Sequence, residues 1–176
     1  MLINAKLIII GHARHGKDTV ANKLAHNLGL ENVNASTIAC NEIIYPVLNS
    51  FYSDPEECYN DRINNRELWY RLINHYCLVN GGHAFGFKVF EQSDIYAGVR
   101  DEDEHTAILN AAELYSTYPI ITIWVDAARR LPLEDEKSIN ITADKADFIL
   151  CNNGDIDNLT SQIDMLSRHL TIKYGV

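Results

Sequence analysis

The chain has 176 residues, 47% of them hydrophobic and 22% charged, with a formal net charge of −9. That length allows one α/β-sized domain with a sizeable core, and no run approaches the ~18 consecutive apolar residues of a membrane span. The acidic balance excludes a polymeric nucleic-acid partner, because most of the surface would repel a phosphate backbone.

The amino-terminal stretch "MLINAKLIIIGHA" leads into a glycine loop and has no small-residue cleavage site, so it reads as a first strand and not as a signal peptide. That strand is Lys6–Ile10. The helix after the loop carries Val20, Ala21, Leu24 and Leu28 on one face and stops at Gly29, a residue suited to the left-handed end position. "NASTIAC" (34–40) is expected as a second strand, and "NEIIYPVLNSFY" as a broken helix containing Pro46. A polar stretch without apolar period, "SDPEECYNDRINNRE", follows. "LWYRLINHYCLVN" (68–80) places Leu68, Trp69, Leu72, Ile73 and Tyr76 on one helical face, ended by Gly81 and Gly82.

"SDIYAGV" is expected as a third strand, and "DEDE" (101–104) opens the next helix, where acids suit the positive end of its dipole. "IITIWVDA" (120–127) and "ADFILCN" (146–152) read as the fourth and fifth strands. The last helix shows Ile156, Leu159, Ile163, Leu166 and Leu170 at helical spacing. Strands alternating with helices predict a three-layer α/β/α domain spanning 1–176, around a mainly parallel sheet of about five strands. Cys40, Cys58, Cys77 and Cys151 form no Cys-x-x-Cys pair, so the thiols are expected to be incidental.

The chemistry concentrates in "GHARHGKDT" (11–19), whose Gly-x-x-x-x-Gly-Lys spacing between a strand and a helix is that of a phosphate-binding loop. Gly11 and Gly16 permit the turn. The backbone N–H groups of Ala13, Arg14 and His15 are expected to form an anion nest, with the helix dipole behind them. Lys17 supplies a point charge for the β- and γ-phosphates of a nucleotide. Where the usual motif carries Ser or Thr, this chain has Asp18, and the hydroxyl comes one residue later at Thr19. A carboxylate suits Mg²⁺, directly or through water, so Asp18 is the candidate metal ligand; stabilisation of the helix end is its alternative role. Thr19 lies about 100° further round the helix and is expected to reach the α-phosphate.

The segments "GHARHGKDTVANKLA", "CNEIIYPVL", "DRINNRELWYRLI", "SDIYAGVRDEDE", "IITIWVDAARRLP" and "ADFILCNNGDIDNL" together resemble bacteriophage-type deoxynucleoside monophosphate kinases. The resemblance runs in order along almost the whole chain. It implies transfer of the γ-phosphoryl of ATP to a deoxynucleoside monophosphate, with ATP and Mg²⁺ bound and a helical acceptor-binding insertion at about 41–90. Arg100 then matches a strand-end arginine near the acceptor and Glu104 an acid four residues on, whereas Gly98 stands where the family carries an aspartate. Arg62 and Arg66 would clamp the acceptor phosphate.

The same resemblance places Trp69 and Tyr70 to stack on the acceptor base, with core packing the alternative for Trp69. It makes Arg129 and Arg130 lid cations over the triphosphate, with plain surface charge as the alternative. Asn152 and Asn153 would border the adenine or ribose, or simply make a turn. The implied location is cytoplasmic, that of a host cell if the chain is viral, and a homodimer is left open. A kinase for another small acceptor (dephospho-coenzyme A or a nucleoside) and a non-kinase nucleotide-binding switch are the rival readings.

Overall fold

A computed structural model of the protein describes residues 3–116, 118–135 and 138–175. Four strands, β1 (Lys6–Ile10), β2 (Ile95–Ala97), β3 (Ile120–Asp126) and β4 (Phe148–Cys151), form one sheet in the order β2-β1-β3-β4. Every pairing is parallel, with Ile8 opposite Tyr96, Ile9 opposite Ile123 and Trp124 opposite Ile149. A parallel sheet is covered on both faces, so its central strands read as unbroken apolar runs. That is the physical origin of "KLIII" and "IITIWV".

Period-two alternation divides these runs between two cores. Leu7, Ile9, Ile95, Ile121, Ile123 and Val125 face α1 (Lys17–Leu28) and α8 (Ile156–Tyr174), which contribute Val20, Leu24, Leu28, Leu159, Ile163 and Leu170. Ile8, Ile10, Tyr96 and Trp124 face the other way. There they meet α2 (Ala35–Ala39), α4 (Pro55–Asn60), α5 (Arg66–Asn80), α6 (Ala84–Phe90) and α7 (Glu102–Tyr115). Leu7, Ile9, Leu24 and Leu28 are fully buried. Burial of each such side chain contributes about 1.5–3 kcal/mol.

Two expectations are corrected. Residues 34–40 are not a strand: Asn34 accepts a hydrogen bond from the Ser36 N–H at 2.8 Å and caps α2. The cap outweighs the weak strand preference of Thr37 and Ile38, and the helix buries Ile38 and Ala39 on one side. Among the described residues the sheet therefore has four strands, not five. Two positions assigned to apolar faces are also exposed, Leu68 at 40% and Ile156 at 60%, because each lies in the first turn of its helix, at the edge of the packed face.

The remaining elements follow local chemistry. α1 ends at Gly29 in the left-handed conformation (φ 67°), whose N–H reaches the Ala25 carbonyl. Pro46 lies at the start of α3 (Tyr45–Leu48), directly after a wide π-turn at Cys40–Ile44. A proline has no N–H to donate and crowds the preceding turn, and a π-turn is one way a chain absorbs that defect. The polar stretch after it forms α4, capped by Asp54, whose carboxylate accepts the Glu57 N–H at 2.8 Å. All four cysteines are free. Among the described residues no helix is long and apolar enough to cross a membrane.

Candidate phosphate-binding site

In a parallel sheet all strands end on the same side, so the loops after β1, β2, β3 and β4 converge at one carboxyl edge, the usual place for a ligand in such folds. The loop after β1 is tightly specified. A Cβ at Gly11 (φ 140°) would stand 2.5 Å from the Val125 carbonyl oxygen, so no other residue fits there. Gly16 (φ 101°) would collide in the same way with the Asn152 side chain, whose Nδ2 donates to the His15 carbonyl at 2.8 Å. Arg14 between them takes a left-handed φ of 64°, unusual for a residue with a side chain.

Lys17 folds back over this loop. Its Nζ donates to the carbonyls of Gly11 and His12, both at 2.8 Å. Burial and then the neighbouring Arg100 charge lower its pKa from the usual lysine value, against the opposing pull of Glu134 and Asp18. The first turn of α1 starts at Gly16 without a side-chain cap, as do those of α3, α5 and α6, whereas α2, α4, α7 and α8 are capped by Asn34, Asp54, Asp101 and Asp155. Helix-initial N–H groups left without a cap are the donors an anion would use.

The two loop histidines serve the loop's architecture. His15 is fully buried and its Nδ1 accepts the Ala127 N–H at 3.0 Å, which ties the loop to the end of β3. Its Nε2 has no hydrogen-bond partner among the described residues. The His12 ring meets His15 edge-on at 5.2 Å and Trp124 at 5.5 Å, and its Nδ1 accepts the Glu134 N–H at 3.1 Å. Burial, followed by the fields of His15 and Lys17, lowers the His12 pKa against the pull of Glu134 and Asp126.

Glu134 and Asp126 are the two carboxylates that sequence reasoning missed. Glu134 Oε2 accepts the Ala13 N–H, and Oε1 takes Arg100 Nη1 at 2.7 Å. Burial raises the Glu134 pKa, but Arg100 and the Ala13 N–H outweigh it, so the carboxyl sits below its ordinary range. Asp126 ends β3 and accepts Asn153 Nδ2 at 2.7 Å and the Ala128 N–H at 3.1 Å. Asp126 was legible as the acid closing an apolar strand. Nothing in "LPLEDEK" distinguishes Glu134 from its acidic neighbours.

Asp18 and Thr19 are exposed on the first turn of α1, and Asp18 forms no hydrogen bond or ion pair with a described residue. Asp18 borders a cavity of about 150 Å³, together with Asn22, Asn32 and Asn34. Among the described residues no group of three His, Cys, Asp or Glu side chains gathers to hold a metal. A lone available carboxylate fits Mg²⁺, which commonly takes one or two carboxylates and completes its shell with phosphate oxygens and water. A larger cavity of about 390 Å³, lined by Leu109, Ala112 and Pro119, lies at the opposite edge of the sheet.

Arg100 lies beside the loop through Glu134, and its guanidinium also donates to the Ser138 carbonyl at 3.3 Å. Glu104 Oε1 accepts the Tyr96 hydroxyl at 2.9 Å, and burial pushes its carboxyl up to about 7. The backbone of Arg129 donates to Asn153 Oδ1 at 2.9 Å, and Arg130 Nε donates to the Asn152 carbonyl at 2.5 Å. The side chains of Asn152 and Asn153 thus join the loops after β1, β3 and β4.

The insertion is different. The Arg62 guanidinium stacks over Tyr59 at 4.9 Å and lies 6.0 Å from Trp69, which is buried in the core. Arg66 and Tyr70 are exposed on α5. Among the described residues no hydrogen bond or ion pair links Arg62, Arg66 or Tyr70 to residues 11–19.

The chain matches no protein-family model, and no curated protein matches it significantly.

Proposed function

We propose that the protein transfers the γ-phosphoryl of ATP to a deoxynucleoside monophosphate in a magnesium-dependent reaction. The reading is supported by one juxtaposition, the uncapped first turn of α1 beside the Gly11–Gly16 loop and Lys17 at the carboxyl edge of a parallel sheet, where an anion could be seated. Phosphoryl transfer asks little covalent chemistry of a protein and depends on positioning and charge neutralisation. In this reading the loop N–H groups cradle the donor phosphates, and Lys17 swings from the loop carbonyls onto the β- and γ-oxygens. Asp18 would hold magnesium, which would supply charge neutralisation for the phosphates. Thr19 reaches the α-phosphate.

Arg100, released from Glu134, faces the transferred group, while Arg62 and Arg66 grip the acceptor phosphate with the insertion closed over it. Arg129 and Arg130 cover the triphosphate, and the Asn152–Asn153 turn borders the adenine side. The resemblance in "GVRDEDE" and "CNNGD" supports this assignment of sides. The test is a product scan with ATP, magnesium and, in turn, each deoxynucleoside and ribonucleoside monophosphate, dephospho-coenzyme A and the nucleosides. Formation of a diphosphate from at least one deoxynucleotide is expected. Phosphorylation of dephospho-coenzyme A or a nucleoside in its place would transfer the reading to another acceptor.

A second reading, a nucleotide-binding switch without an acceptor, is favoured by one feature. Gly98 leaves open space where a strand-end carboxylate would stand, with nothing within 4 Å of a Cβ built there. Slow ATP hydrolysis unaffected by any monophosphate is its signature.

A further inference from the structure

The carboxylate of Glu134 is placed as a phosphate would be. One oxygen takes a loop N–H, that of Ala13, and the other takes the Arg100 guanidinium at 2.7 Å, while the Lys17 ammonium lies within its field. The residue is delivered there by the loop itself, because its own N–H donates to His12 Nδ1 at 3.1 Å. The chain beyond it is anchored on the β2 side of the sheet. Arg100 donates to the Ser138 carbonyl at 3.3 Å, the Asn140 N–H reaches the Arg100 carbonyl at 3.1 Å, and Asn140 Oδ1 accepts the Glu102 N–H at 2.8 Å.

From this geometry we propose that Glu134 is a built-in anionic occupant of the loop, which an incoming nucleotide phosphate displaces, and whose displacement frees Arg100 for the reacting phosphoryl group. The inference rests on the loop being a phosphate site.

The physical argument is one of exclusion. The Ala13 N–H cannot serve a carboxylate and a phosphate oxygen together, and two anions at that separation repel. The protein thus has two states, one with Glu134 seated and one with the loop vacant, and nucleotide binds only the second. Apparent affinity is then the intrinsic affinity scaled by the vacant fraction. The two exchanges are also coupled. With Glu134 seated, Arg100 is neutralised by its partner, so the cation becomes available only after the donor has arrived.

The experiment measures the dissociation constant of ADP with magnesium by calorimetry for the unaltered protein, Glu134→Gln, Glu134→Asp and Glu113→Gln. Glutamine keeps the size of the side chain and removes the charge. Aspartate keeps the charge but is one methylene too short to reach the Ala13 N–H. Glu113 is an exposed acid near the end of α7, so Glu113→Gln changes net charge equally without touching the loop. Both Glu134 variants are expected to bind ADP about tenfold more tightly, with Glu113→Gln unchanged. Thermal melts establish that each variant is folded, and aspartate serves if the glutamine variant is not. Equal or weaker ADP binding by the Glu134 variants overturns the inference and leaves the nucleotide reading standing. Absence of ADP binding in every protein overturns both.

Discussion

The two halves of the proposed site are built on opposite plans. Around the loop after β1 many polar groups hold one another, Lys17 on two carbonyls, His15 on Ala127, Asn152 on His15, and Glu134 on Ala13 and Arg100, while Asp18 and His15 Nε2 have no hydrogen-bond partner among the described residues. In the insertion, Arg66 and Tyr70 extend into solvent, and Arg62 rests on aromatic rings. The proposed donor side is held by its loop contacts against β1, whose Leu7, Ile8, Ile9 and Ile10 are fully buried. On the proposed acceptor side Arg62 and Arg66 have no acidic partner among the described residues, whereas Arg71 pairs with Glu67 and Lys88 with Glu91. In the proposed function a phosphate would draw Lys17 from the loop carbonyls and displace Glu134 from Ala13. A clamp that must open for substrate and product is better left uncommitted.

The sharpest way to break this contrast is at Lys17. Lys17→Ala removes the charge from the proposed donor half and is expected to lower the kinase rate by on the order of 10²–10³-fold. A thermal melt should show a protein still folded, because Val20, Leu24 and Leu28 below it are untouched. Near-normal turnover would mean that the ordered loop is architecture only.

The arginines separate the halves directly. Arg66→Ala is expected to cost ten- to a hundredfold in kcat/KM for the monophosphate, the equivalent of about 1.5–3 kcal/mol for one charge-assisted contact. Its KM for ATP should not change. Arg100 is tied to the loop through Glu134, so Arg100→Ala should lower kcat by about tenfold or more with either substrate saturating. Identical kinetic signatures for the two variants would erase the distinction between a mobile clamp and a fixed edge.

Asp18→Ala is expected to raise the magnesium concentration for half-maximal rate by about tenfold. Titration of magnesium at saturating ATP measures it, and a curve that overlays the unaltered protein would leave Asp18 a helix-end charge.

The last expected effect is on stability, not on catalysis, and arises at Glu104, which accepts the Tyr96 hydroxyl. Burial pushes the Glu104 carboxyl up to about 7, from 4.5 in an unfolded chain. Between those values the folded protein binds more protons than the unfolded one, so stability falls as pH rises from about 4.5 to about 7 and levels off above. The full difference is bounded at about 3 kcal/mol. Melting temperature against pH should show this decline, and Glu104→Gln should flatten it. An unchanged slope in the variant would assign the decline to another group.

Much of the molecule was legible because its signals are local. β1, β3 and β4 are short apolar runs bounded by turns, and a residue with neighbours on both faces of a sheet has to be apolar whatever the rest of the chain does. The stop of α1 at Gly29 and the opening of α7 after Asp101 are set by backbone geometry and caps within a few residues. The segment at 34–40 was misread for the same reason in reverse. Its β-branched residues suggest a strand, and the decisive contact is a single Asn34 side chain turning back onto Ser36.

The composition and spacing of "GHARHGKDT" determined by themselves that a strand would pass through a tight glycine turn into a helix, and which cation and carboxylate would stand at its start. The tertiary structure alone decided what those groups touch. Asn152 is 137 residues from the carbonyl it holds, and Glu134 is 121 from the N–H it occupies. Such pairings depend on which loops a parallel sheet brings to one edge, and side-chain periodicity within a single segment carries no record of that. Polar contacts across the fold also have no spacing rule, since one acid in "LEDEK" serves the loop as well as another until the chain is closed around it.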